Sequence, residues 1–466
     1  MQRQLYWQLR RMIDERLLSA GSRLPSSRSL AADLGLARIT VVTVYDQLAT
    51  EGYINCRPGA CATVVDLPAA SPARAPTRGG NRKLLSERGR VMQEQPFHRG
   101  SPGHLAFHPG MPDSENFPFG IWSRLLARRA TAAKKDLFGS HDVAGFQDLR
   151  EAICGYVKAA RGVRCSTEQI VITTGAQAAL DLLSRILIDP GDIALVEEPG
   201  YYGAQAAFVA SGAKLAPLHV GDAGWALDSL RGKPPRLIYV TPASQQPLGL
   251  IMRMEQRLRL LDLADRTDAF VIEDDFDSEY RFQGRPIPAM QGIDESDRVI
   301  YLGTFAKLLF PALRIGFVVL PKVLVGTFDL PLKITGQYPP PLLQAALADF
   351  INDGHMTVHL KRMRRIYAAR RQLFRQLSEA HLGRWMSLLP SDAGISFVGE
   401  LHDGESDLAL AAAARKRSLN VSPLSMHYRH GNPRAGVVMG YAGLSESAMP
   451  RAFNKLAAVF RDVFGS

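Results

Sequence analysis

Between residues 170 and 305 the chain alternates short β-branched runs with longer helical patterns. The runs are IVITTG, IALVE, RLIYVT, AFVIED and VIYLGTF, and segments such as AQAALDLLSRILI and EQRLRLLDLADRT lie between them. This alternation implies βαβ units and a mostly parallel sheet covered by helices. Sheets of that kind place their ligands at the carboxyl ends of the strands. The residues that follow each run are therefore the first place to look for chemistry.

Five pieces stand at those ends. In GTFAKLLFPALRIGF a single lysine, Lys307, sits among Phe305, Leu308, Leu309 and Phe310. Such surroundings desolvate an amine, lower its pKa and make it available as a nucleophile; the bland alternative is a snorkelling lysine at the end of a core strand. Thr304 and Arg314 flank it, placed to hold phosphate oxygens. ITTGAQAAL ends one run and opens a helix, so the N–H groups of Gly175, Ala176 and Gln177 lie where a phosphate binds. EEPGYYG offers Tyr201 as a ring that stacks on a flat cofactor. VTPASQQPLG is a loop carrying Ser244, Gln245 and Gln246, and VIEDDFDSEY ends a strand in acids that could keep a pyridinium nitrogen protonated. A lysine nucleophile, an acid for a ring nitrogen, a stacking aromatic and a phosphate cradle are the parts that pyridoxal 5'-phosphate (PLP) requires.

Upstream, Pro, Gly, Ser and Arg dominate AASPARAPTRGGNRKLLSERGR, which lacks apolar periodicity and reads as a linker. It divides the 466 residues into a small module, 1–68, a basic flexible linker, 69–103, and a large module, 104–466. The net charge is +11, and residues 69–100 alone hold seven basic against two acidic side chains. Beside a DNA-binding module such a stretch would track phosphates; otherwise it serves solubility. Four cysteines form no CxxC pair and have no histidines at ligand spacing, so no metal site is expected and a reduced cytoplasmic setting fits. Cys56 and Cys61 are near enough in sequence to pair across a hairpin. No apolar window reaches membrane-spanning length, and the charged N-terminus is not a signal peptide.

The small module reads as three helices and a hairpin. Leu5, Leu9, Ile13 and Leu17 keep helical spacing; a second helix starts near Ser27 and stops at Gly35. A third runs from about Ala37 to Thr50 and buries Val41, Val44, Tyr45 and Leu48. Its other face shows Ile39 and Val42, suited to thymine methyl groups. The hairpin GYINCRPGACATVV completes the layout of a winged helix-turn-helix.

The run GSRLPSSRSLAADLGLARITVVTVYDQLATEGYI resembles the DNA-binding domain of the GntR family. That resemblance implies double-stranded operator DNA as a partner, with Arg28, Arg38, Thr40 and Thr43 contacting it and Gly59 approaching the minor groove at the wing tip. The large module resembles a fold-type I aminotransferase, and the whole chain resembles the MocR/GabR transcription regulators from end to end. The resemblance implies that Lys307 is the Schiff-base lysine and Arg314 the phosphate arginine. Asp274, with Asp275 as the alternative, is the pyridine-nitrogen partner, Tyr201 the stacking ring, and Gly175 to Gln177 the phosphate loop. It also implies a homodimer, because fold-type I sites are completed across a subunit interface.

Several positions depart from the family pattern. Phe276 stands where a tyrosine bonds the cofactor's phenolic oxygen, Ser244 where a histidine is usual and Ala306 where a serine precedes the lysine. Ser140 replaces a tyrosine that reaches the partner's phosphate. Val438 replaces the arginine that grips a substrate carboxylate. These losses point to a regulator that senses PLP, an amine or an amino acid, and away from a working aminotransferase, which is the alternative. One further feature is basic: in HLKRMRRIYAARRQLFRQL, Lys361, Arg364, Arg365, Arg371 and Arg375 share one arc of a helix. That arc is either a solvated face or a stripe that receives DNA. Arg370 falls among the apolar residues, so it snorkels or pairs with a buried acid.

Overall fold

The computed structural model describes residues 1–57, 60–67, 85–95, 105–132, 137, 139, 142–229, 232–282, 284, 287–391, 393–402 and 406–465. They fall into two compact units, Met1–Leu84 and Leu85–Ser466.

In the first unit α1 (Gln2–Asp14), α2 (Ser27–Leu34) and α3 (Arg38–Thr50) precede an antiparallel pair, β1 (Ile54–Asn55) and β2 (Thr63–Val64). The Ser26 side chain accepts from the Ser29 N–H and starts α2; Gly35, at φ 64°, ends it in the left-handed region that glycine enters without a Cβ penalty. Leu5, Tyr6, Leu9 and Ile13 of α1 close on Val41, Val44, Tyr45 and Leu48 of α3. Leu17 departs from its expected role: it lies beyond the end of α1 and is exposed, and Tyr6 fills the apolar seam instead. Cys56 and Cys61 are both free and exposed.

The second unit begins earlier than the composition implies. Ser86 caps a short helix, α4 (Glu87–Gln93), by accepting from the Gly89 N–H, and the following Gln95 bonds Arg429. The reading of 69–103 as one flexible linker is corrected to that extent: a capped helix inside it belongs to the large unit. Ser, Arg and Gly in that stretch hid a signal that depends on one cap and a tertiary contact.

The eight-stranded sheet runs in the order β3 (Ile170–Thr173), β10 (Gly316–Val319), β9 (Val299–Thr304), β8 (Phe270–Asp275), β7 (Leu237–Val240), β4 (Ile193–Glu198), β5 (Lys214–Gly221), β6 (Gly224–Trp225). Strands β4, β5, β7, β8 and β9 pair in parallel; β10 is antiparallel to both neighbours, so β3 runs with β9. Central strands are buried on both faces, as near-continuous apolar runs require. Alternation sorts their side chains: Val171, Val196, Tyr239 and Ile272 pack into one layer, while Leu195, Ile238, Val240 and Val271 pack into the opposite one. A smaller antiparallel sheet of β11 (Met386–Leu388), β12 (Ser396–Leu401), β14 (Gly436–Gly440) and β13 (Ser422–Pro423) follows the long helix His355–Leu382.

On that long helix Arg370 pairs with the buried Asp113 at 2.8 Å and donates to the Ala442 carbonyl. Burial pushes the Asp113 carboxyl up, but the Asn116 amide and Arg370 outweigh it and hold it below the ordinary carboxylate range. Arg371 corrects the expected basic stripe: it is buried, lies over the Phe397 ring at 4.8 Å and bonds the Ser391 carbonyl. Lys361, Arg364, Arg365 and Arg375 remain exposed.

Candidate cofactor and DNA sites

A cavity of about 370 Å³ opens at the carboxyl ends of the parallel strands. All nine residues singled out for a cofactor line it: Gly175, Ala176, Gln177, Tyr201, Gln246, Asp274, Thr304, Lys307 and Arg314. They come from the ends of five strands, β3, β4, β7, β8 and β9, or the loops after them, which is why they are scattered over 140 positions of sequence yet meet in space.

Gly175 caps the helix Ala176–Leu187 at φ 98°, ψ 171°, a conformation closed to residues with a Cβ, and no side chain caps that helix. The first N–H groups of this helix are left for an anion from the cavity. The Tyr201 hydroxyl donates to Gln177 Oε1 at 3.2 Å, which fixes the ring at the cavity wall. Arg314 holds φ 52° at the end of a short 3-10 turn (Pro311–Leu313), and Thr304 ends β9.

Lys307 is partly exposed, toward the cavity it lines, yet enough protein surrounds its amine to desolvate it. Desolvation lowers its pKa, opposed by the carboxylates of Asp277 and then Asp274. Its Nζ donates to the Gly110 carbonyl at 2.6 Å. Gly110 is itself held by Ser396 Oγ, which accepts its N–H at 3.0 Å, and a Cβ on Gly110 would collide with the lysine amine.

The choice between Asp274 and Asp275 follows from strand geometry. Adjacent residues of β8 point to opposite faces. Asp275 turns away from the cavity, pairs with Arg161 at 2.6 Å and accepts from Tyr301 at 2.7 Å. Asp274 lines the cavity, accepts from the Tyr239 hydroxyl through Oδ2 at 2.7 Å and leaves Oδ1 buried without a partner. Burial pushes its carboxyl up to about 7, with the Tyr239 bond working the other way. A protonated ring nitrogen facing Oδ1 would supply the missing partner and compensating charge. These residues fit PLP.

Sequence reasoning passed over Gly110, Tyr239, Asp277 and Asn420, all of which line the same cavity. Asp277 stood in the acidic run, but its spacing alone gave no face; Gly110, 197 positions from its lysine, carried no signal. The substituted positions Ser244, Phe276, Ala306 and Val438 also line the cavity. Ser140 lies outside the described residues.

In the first unit Arg28, Arg38 and Thr43 are exposed, Thr40 is half-buried, and Ile39 is 69% exposed at the start of α3. Thr43 Oγ1 turns back to the Ile39 carbonyl at 2.9 Å. Gly59, expected at the wing tip, lies outside the described residues.

Residues 114–456 match the family described as aminotransferase class I and II, and residues 1–64 match the bacterial regulatory proteins of the gntR family. Over 461 residues the chain is 49% identical to the probable rhizopine catabolism regulatory protein MocR of Rhizobium meliloti, covering 99% of this chain and 94% of that one. It belongs to the MocR-type regulators. Another relative at 31% identity is the HTH-type pyridoxine biosynthesis transcriptional regulator PdxR of Corynebacterium glutamicum, with 96% of this chain and 93% of that one covered. The kynurenine aminotransferase of Pyrococcus horikoshii, solved in complex with PMP, superimposes with a TM-score of 0.71 at 25% identity, over 78% of this chain and 92% of that one. As a MocR-type regulator the chain joins a helix-turn-helix to an aminotransferase fold, and no helix among the described residues is long and apolar enough to cross a membrane.

Proposed function

We propose that this MocR-type regulator binds PLP at Lys307 and uses the occupancy of that cavity, by PLP itself or by an amine or amino acid, to control DNA binding or transcription. The observation that carries the reading is the pairing, in one cavity, of a desolvated lysine amine with a buried carboxyl oxygen that has no partner. PLP, when bound, supplies an electrophilic carbonyl that captures primary amines. Lys307 brings the nucleophile, and desolvation raises the fraction of its amine that is unprotonated. Asp274 would hold the ring nitrogen's proton at Oδ1, Tyr201 would cover the ring, and the N-terminus of helix Ala176–Leu187 with Thr304 and Arg314 would hold the phosphate.

Exposed Arg28 and Arg38, with Thr40, give α2 and α3 donors for an operator in the major groove, and exposed Thr43 adds an acceptor oxygen and a methyl. The regulator acts in the cytoplasm as a homodimer. Turnover is disfavoured because Phe276 offers no hydroxyl and Val438 no guanidinium to hold a reacting amino acid in place. The DNA signal arises if the ligand binds one arrangement of the protein more tightly than another.

The test is the absorption spectrum of the purified chain with PLP, beside Lys307→Ala. A visible band in the parent, absent from the variant and fixed covalently by borohydride, is the expected result. No band at saturating PLP would refute the cofactor reading.

A further inference from the structure

The cavity contains more than a cofactor needs. Asp277 and Asn420 line it, are 4% and 5% exposed, and each keeps a buried side-chain oxygen, Oδ1, without a partner. Asp274 Oδ1 is accounted for by the ring nitrogen; these two are not. Burial pushes the Asp277 carboxyl up to about 7, reinforced by Asp275, while a bond with Ser244 opposes it. The torsion that rotates a carboxyl group is soft, so either oxygen of Asp277 can meet a ligand. Two unsatisfied acceptors on residues lining one cavity ask for hydrogen-bond donors.

The same cavity offers little to an anion. Among the described lining residues the lysine and arginine side chains are Lys307 and Arg314, both engaged in the proposed cofactor site, and His108 and His427 each bond a backbone carbonyl through Nδ1. Val438, 2% exposed on β14, presents only methyl groups. A ligand carboxylate would be desolvated against those methyls and would share the cavity with the Asp277 carboxyl.

We propose that the effector is a primary amine without a carboxylate, carrying a second donor, ammonium or hydroxyl, that Asp277, Asn420 and Ser244 receive. This rests on the reading of the cavity as the effector site and narrows it from amines and amino acids to one class. Asp277 supplies the charge that selects a cationic ligand, Asn420 adds a neutral acceptor, and Val438 excludes the α-carboxylate by leaving it unpaired.

The experiment uses the full chain, PLP-saturated and PLP-free, and equilibrium dialysis with two matched pairs: 1,4-diaminobutane against ornithine, and 2-aminoethanol against serine. Each pair differs only by the carboxylate. The carboxylate-free member binds at least tenfold tighter in the parent, Asp277→Asn weakens 1,4-diaminobutane at least tenfold, and Val438→Arg turns the preference toward ornithine and serine. Equal or tighter binding of the amino acids by the parent overturns the proposal, as does a 1,4-diaminobutane affinity that survives Asp277→Asn, or no binding of any of the four. If PLP gives no visible band while 1,4-diaminobutane still binds through Asp277, the cofactor reading fails and this one stands.

Discussion

Replacing Asp274 by asparagine should stabilise the cofactor-free protein above neutrality while removing its grip on PLP. Unfolded, the carboxyl titrates near 3.8; in the fold, burial moves it to about 7. A group raised in the fold favours folding while protonated, so its contribution is complete below 3.8 and is lost as pH climbs to 7. At about 1.4 kcal/mol per pH unit, the loss over the whole window is about 4 kcal/mol, of which about 2 kcal/mol falls between pH 5 and pH 7. Asparagine does not titrate. Its oxygen still accepts from Tyr239, and its amide hydrogens add a cost of about 1–2 kcal/mol that is the same at every pH. The stability of Asp274→Asn relative to the parent should therefore rise by about 3 kcal/mol from pH 5 to pH 8 and level off above pH 7. Urea unfolding of the PLP-free chain, followed by the fluorescence of Trp122, Trp225 and Trp385 of the large unit, reads this directly. A gap between variant and parent that stays constant over that range would refute the assignment of a buried, raised carboxyl to this position. The same variant should show a weakened visible band with PLP, since an amide carries no charge to match a protonated ring nitrogen.

Other perturbations reach other parts of the argument. Arg370→Ala strands the buried Asp113 charge and should cost about 3–5 kcal/mol in unfolding experiments; a loss under 1 kcal/mol would show that the pair is not enclosed as described. Gly110→Ala forces a Cβ against the Lys307 amine at a backbone φ of +66°, so it should weaken PLP binding at least tenfold with little change in DNA affinity. An unaltered PLP spectrum and affinity would show that the Gly110 carbonyl does not set the lysine. Arg38→Ala should weaken operator binding strongly and leave the PLP spectrum intact; unchanged DNA binding in a gel-shift titration would displace the recognition helix from α3.

The strands and helices of both units were legible in the sequence because their determinants are local. β-branched runs, the 3.6-residue period, the cap at Ser26 and the glycine at 35 act over a few residues, and the structure reproduces them within one or two positions. The nine candidate cofactor positions could be picked out because a parallel sheet sends every strand end to the same edge. Local signals failed where a distant segment decides. Leu17 continued the apolar spacing of α1 beyond the point where the helix ends, and Arg371 kept the period of a basic stripe while aromatic rings from 282 and 397 buried it.

The sequence by itself determined that two modules exist, that one has a winged helix-turn-helix layout and the other an α/β sheet, and that a lysine, an acid and a glycine-led helix N-terminus stand at strand ends. Only the tertiary structure set Asp274 in the cavity wall and Asp275 outside it, where Arg161, brought in from an earlier helix, pairs with its Oδ2. Only the fold set the Gly110 carbonyl against Lys307, paired Arg370 with Asp113, and left Asp277 and Asn420 with unmet acceptors in the lining of one cavity. The physical reason is common to all of these. A residue's type and its period along an element fix which face it takes, whereas its partner, and with it its charge state, depends on what the rest of the chain packs against that face.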